Sequence, residues 1–217
     1  MKIKELILFT NNLNKQLEFY TNVLELELVK QTSKSFSLKV GCSKLTFKFR
    51  ENCTPYHIAF NIPLNRENRA LNWLKQRVDL LPFGDNEIIE FEHWNAKALY
   101  FYDADNNILE FISRKELKIN SEEAFSSNSI LNISEIGIGT SDIKSIYNSI
   151  NTIKSIDIFD GSFERFCAIG NEEGLFILVN KSVKKWFPTD DEIYVSDFII
   201  KGNYNFEYVN GKIIEIA

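Results

Sequence analysis

A strand, a helix and three further strands follow one another from residue 3, and the same order returns near residues 56 and 133. This repeat constrains the fold more than any other feature, because such a unit buries its sheet faces only against further copies of itself. In the first unit Ile3 to Thr10 reads as a strand, and Asn11 and Asn12 are helix-start residues. Leu13, Leu17, Tyr20 and Leu24 then recur at helical spacing, and Leu26 to Val29 is a short strand. Ser35 to Val40 and Lys44 to Phe49 alternate with period two about Gly41-Cys42, which predicts a hairpin with Lys39 opposite Lys44.

The second unit opens with the strand 56–62, followed by a helix over Asn65 to Val78 and strands at Ile88 to Glu92 and Ala98 to Tyr102. The turn Asp103 to Asn107 then leads into Ile108 to Ile112. Residues 115–130 are polar and read as a linker. A third unit has a strand at Ile133 to Gly139, a helix start at Ser141-Asp142 and Ile143, Ile146, Ile150 and Ile153 on one helical face. Strands at 163–169 and 175–180 complete it. The tail, from Glu192 through a hairpin at Asn210-Gly211, reads as a fourth unit that has lost its helix. The predicted fold is α+β: paired βαβββ units forming a curved-sheet cup with helices outside. Residues 1–114 are expected to hold two units, and 131–217 the third and the degenerate fourth.

Period two also assigns the faces of the sheet. Phe36, Leu38, Val40, Leu45, Phe47 and Phe49 share the helix side of the first hairpin, which leaves Lys39, Lys44, Thr46 and Lys48 on the other. Pairing the first unit with the second brings Glu5, Lys44, His57 and Glu110 to corresponding points of four inner strands. Asn61, Tyr100 and Tyr102 face the same cup. His57 and Glu110 are metal-ligand types inside otherwise apolar strands, and a buried carboxylate needs a partner. Lys44 is an alternative partner, since an ammonium offers only donors and cannot itself ligate.

Thirty acidic against 25 basic side chains give a net charge of -5, which disfavours nucleic acid as the main partner. No apolar run nears 18 residues, so no membrane span is expected. Cys42, Cys53 and Cys167 are an odd number without motif spacing. Free thiols and the lack of a signal-peptide pattern lead to the expectation of a cytoplasmic protein.

Three stretches together resemble the vicinal oxygen chelate superfamily of glyoxalase I, bleomycin- and fosfomycin-resistance proteins and extradiol dioxygenases. They are Leu13 to Tyr20 with Val23 to Leu26, Tyr56 to Phe60, and Tyr102 to Glu110, where Asp103 to Asn107 is similar to the family's Asp-Pro-x-Gly-Asn turn. The resemblance implies metal ligands at His57, Glu110 and Glu5, with a Lys at 44 departing from the pattern. It implies either a divalent ion (Fe, Mn, Ni or Zn) or none. One expectation is therefore an enzyme on a small oxygen-chelating substrate, either a lyase/isomerase in which Glu5 or Glu110 moves a proton or a ring-cleaving dioxygenase using Tyr100. The alternative is a metal-free cup for an anionic or aromatic small molecule, lined by Lys44, Lys39, Lys48, Asn61 and Tyr102, with Lys44 in the metal's place. A third is a scaffold whose third unit meets a partner. A homodimer that exchanges units satisfies the same pattern.

Overall fold

The computed structural model describes residues 1–216 as two curved sheets. The first unit gives β1 (Ile3–Thr10), α1 (Leu13–Glu18), β2 (Leu28–Thr32), β3 (Ser35–Val40) and β4 (Ser43–Phe49). The second gives β5 (His57–Ile62), α2 (Glu67–Lys75), β6 (Ile89–Phe91), β7 (Ala96–Tyr102) and β8 (Ile108–Arg114). The third gives β9 (Asn132–Thr140), α3 (Ile143–Ile153), β10 (Ile158–Ser162), β11 (Phe166–Asn171) and β12 (Gly174–Asn180). The tail supplies β13 (Phe198–Gly202), β14 (Phe206–Val209) and β15 (Lys212–Glu215), with no helix. The repeat and its helix-less fourth copy are therefore as the patterning predicts. The strand β10 is absent from the sequence reading, because it is an exposed edge rich in turn residues with no apolar alternation.

The pairing of units differs from expectation. β5 runs antiparallel to β9, with Ile58 opposite Ile136 and Ala59 opposite Glu135. β1 runs antiparallel to β13, with Leu6 opposite Ile200. Unit two thus joins unit three in an eight-stranded sheet, and unit one joins unit four in a seven-stranded sheet. Burial accounts for the choice. All six residues of β5 are buried, as are eight of the nine in β9, so these two-sided strands match each other. β1 and β13 each keep part of one face wet. Each sheet draws strands from both sides of the 115–130 connection.

The helix-side faces of both sheets share one core that includes Leu8, Phe47, Phe60, Phe111, Ile136 and Phe198. α2 adds Ala70, Trp73 and Leu74, and α3 adds Ile143, Ile146 and Ile150, each at helical spacing. Asp142 caps α3 by accepting from the Ser145 N–H at 3.0 Å. The Asp103 turn ties unit one to unit two. Asp103 is buried and accepts from Gln16, Tyr20 and Asn107 side chains at 2.9, 2.9 and 2.7 Å. Asn106 takes the left-handed conformation there (φ 59°), which Asn tolerates in place of Gly. Among the described residues no helix is long and apolar enough to cross a membrane.

Candidate functional site

One residue row of the eight-stranded sheet sets the chemistry. Across neighbouring strands it runs Tyr100, Glu110, Ala59, Glu135. Side chains in one row project to one face, so Glu110 and Glu135 flank the small Ala59 on the concave side. His57, two residues before Ala59 on the same face, closes the group. Its Nε2 lies 3.1 Å from a Glu110 carboxylate oxygen. One ligand atom each from His57, Glu110 and Glu135 all fall within 4.8 Å of one another, and all three residues are buried.

Arg114 lies four residues beyond Glu110 on β8 and therefore on the same face. Its guanidinium is fully buried, bonds Glu135 and reaches Glu172 at 3.4 Å. It also sits 5.4 Å from the Trp94 ring centre. Burial, then the charge of Glu110, pushes the Glu135 carboxyl up to about 7, with Arg114 and His57 opposing. Burial and the same two carboxylates raise the Tyr100 phenol well above its ordinary value, so it stays protonated beside Glu110. Trp186 stacks on the His57 ring at 5.1 Å. This arrangement requires Gly137, where an added Cβ would lie 2.5 Å from the indole.

His57, Tyr100, Glu110, Glu135 and Trp186 line a cavity of about 560 Å³ whose aromatic walls include Phe91, Trp94, Phe166 and Phe187. The donor set suits a divalent ion. One imidazole nitrogen and two carboxylates suit Fe, Mn, Ni or Zn. Ligand bonds of about 2.0–2.2 Å hold adjacent donor atoms roughly 3 Å apart, close to the observed His57–Glu110 spacing.

The structure brings His57, Glu110 and Tyr100 together, but places Glu5 and Lys44 in the other sheet. There they form a 2.8 Å ion pair on adjacent strands. Lys44 therefore does not stand in for an ion beside His57 and Glu110. The position in β4 that corresponds to Glu110 is Thr46, since Ile7 pairs with Thr46 as Ala59 pairs with Glu110. Lys39 is exposed and meets Glu27 at 3.4 Å. Lys48 is exposed on the same wet face. Asn61 is buried and turns to Asn132 at 3.3 Å, and the Tyr102 hydroxyl donates to Asp191 at 2.6 Å. Neither lines this cavity.

Glu135, Arg114 and Trp186 are absent from the sequence-derived set. Glu135 reads from the sequence as the counterpart of Glu5, each eight residues before the first residue of its helix, but no His stands near it in its own unit, so the sequence alone argues against a second metal site there. Its significance depends on which units pair. Trp186 comes from an irregular segment after β12 that carries no periodic signal.

A model of the Glyoxalase/Bleomycin resistance protein/Dioxygenase superfamily matches residues 2–111. No curated protein matches the sequence. Among solved structures, the "putative dioxygenase" of Bacillus subtilis subsp. subtilis str. 168 superposes with a TM-score of 0.62 at 15% identity. The match covers 82% of this chain and 63% of that one, so the chain spans less than two thirds of that protein. FosX, the genomically encoded fosfomycin resistance protein of Listeria monocytogenes, matches at 20% identity and TM-score 0.43, over 52% of this chain and 93% of that one. Lactoylglutathione lyase from Agrobacterium tumefaciens matches at 16% and 0.45, over 54% and 97%. At 15% identity the likeness to the Bacillus subtilis protein is one of fold.

Proposed function

Because the chain belongs to the Glyoxalase/Bleomycin resistance protein/Dioxygenase superfamily, we propose that the cup of the eight-stranded sheet is its working site. In this reading it is a metal-dependent enzyme, of lyase/isomerase or dioxygenase type, acting on a small molecule with adjacent oxygens. The observation that carries it is the convergence of His57, Glu110 and Glu135 at the base of an aromatic cavity.

His57, Glu110 and Glu135 would hold the ion. Bound there, a divalent ion supplies Lewis acidity to a chelated substrate. The chain's own groups do the rest. Arg114 fixes the Glu135 carboxylate and partly neutralises it. Without the ion Glu135 takes up a proton up to about pH 7, so ion binding at neutral pH would displace that proton and grow stronger as pH rises. Tyr100, kept protonated, donates a hydrogen bond toward the Glu110 side. Trp186 and the aromatic walls exclude water, which strengthens each of these interactions.

A metal-free ligand cup is the second reading. The Arg114–Glu135 pair favours it, because it already neutralises part of the acidic base. The test is elemental analysis of the purified protein before and after loading with Mn, Fe, Ni or Zn. The enzyme reading expects close to one ion per chain, with affinity lowered at least about 100-fold in His57→Ala and unchanged in Glu5→Ala. No uptake by the unaltered protein removes it and leaves the ligand cup.

A further inference from the structure

Lys184 is the sole Lys or Arg among the described residues that line the cavity. Its ammonium lies 4.6 Å from the Phe166 ring centre, and among the described residues no carboxylate lies within ion-pair distance of it. It is half-buried, and desolvation followed by the nearby Arg165 holds its pKa below the ordinary lysine value. Most of the cavity's acids are engaged elsewhere. Glu110 meets His57, Glu135 meets Arg114, Asp160 accepts from the Trp94 indole at 2.7 Å, and Glu90 meets Lys97 at 3.6 Å, while Glu92 is exposed at the rim.

A cation turned into a pocket without an anionic partner retains the desolvation cost that a partner would offset. A ring face offsets only part of that cost, roughly 0.5–2 kcal/mol. Lys184 also lines a neighbouring depression with Arg165 and Lys181. This basic rim adjoins the cavity on a chain whose net charge is -5. An anion in the cavity is therefore repelled by Glu110 and Glu135 at the base and by Glu90, Glu92 and Asp160 elsewhere in the lining, which leaves the Lys184 wall as the place that attracts it.

We propose that the ligand of this cavity is an aromatic acid, with its ring between the aromatic walls and its anionic group on Lys184. The proposal takes the cavity as the ligand site, as above, and adds the chemical class. It orients the ligand as well: the anion sits at the rim wall, and the opposite edge of the ring faces His57, Glu110 and Glu135. Lys184 is thus a specificity-determining residue.

The test uses the full chain freed of metal by chelation and titrated with 2-naphthoate and with its neutral analogue 2-naphthalenemethanol. Quenching of indole emission is followed, since Trp94 and Trp186 line the cavity. The expected result is at least about tenfold tighter binding of the acid. Lys184→Met should abolish that preference while leaving the alcohol's affinity unchanged, and Lys184→Arg should keep it. Equal affinity for acid and alcohol, no binding of either, or a preference that survives Lys184→Met overturns the proposal. Uptake of Mn, Fe, Ni and Zn is measured on the same samples. A protein that binds naphthoate through Lys184 yet takes up none of Mn, Fe, Ni or Zn rejects the metal reading and upholds this one.

Discussion

Units one and two share one strand order and one parallel register between first and last strands, yet only the sheet of unit two gathers buried metal-ligand side chains among the described residues. In the seven-stranded sheet the three related positions are Glu5, Ile7 and Thr46. In the eight-stranded sheet they are His57, Ala59 and Glu110 in unit two, and Glu135, Gly137 and Ile177 in unit three. Two differences matter. Small residues, Ala59 and Gly137, replace Ile7 on the floor, and this opens room for Trp186 and a cavity. The donors are also buried, whereas the Lys44 side chain is 43% exposed. A wet ion pair such as Glu5–Lys44 contributes about 0–1 kcal/mol. A buried one whose partner is removed costs about 3–5 kcal/mol. The comparison teaches that the repeat supplies positions, and that floor size and water exclusion decide whether donors placed there become reactive.

The largest effect should come from Arg114→Met. It leaves Glu135 and Glu172 without their buried cation and should destabilise the fold by about 3–5 kcal/mol in urea unfolding. Lys44→Met in the other sheet should cost less than about 1 kcal/mol. Equal losses from the two variants would erase the contrast.

The next effect is a pH dependence. Glu135 titrates in the folded chain near 7, above its ordinary value of 4.5. The folded state then binds the extra proton between those values, so this group's contribution to stability falls as pH rises from about 4.5 to 7. The change is of order 3 kcal/mol. Glu135→Gln should flatten that part of the metal-free stability profile, and Glu5→Gln should leave it unaltered. Loss of stability over the same window in Glu135→Gln would assign the effect to other groups.

The smallest effect tests the floor. In Gly137→Ala the new methyl meets Trp186 at 2.5 Å and His57 Cβ at 3.1 Å. Overpacking of this kind costs about 1–3 kcal/mol, and indole emission should shift toward that of exposed tryptophan as Trp186 is displaced. Unchanged emission would show that the floor does not need a glycine.

Much of this was legible in the chain itself. Alternation in β3, β4, β7 and β8 assigns the faces except at Phe49, which is 46% exposed at the end of β4, and His57 and Glu110 stand out as polar residues in apolar strands. What alternation does not encode is which first strand pairs with which. β1, β5 and β9 have similar lengths and each precedes a helix, so the choice rests on matched two-sided burial. That is why Glu5 and Lys44 were grouped with His57, and Glu135 was not. Lys184 and Trp186 lie in an irregular segment positioned only by tertiary packing, and no local pattern marks them.

The nested order of pairing, second unit with third and first with fourth, has a further outcome for the molecule as a polymer. A single nick within 115–130 would put His57 and Glu110 on one fragment and Glu135 on the other, with four strands of the seven-stranded sheet on the first and three on the second, and the eight-stranded sheet split four and four. Only the reassociated fragments would bring the three side chains together. Assembly of the halves and formation of the site are thus one event.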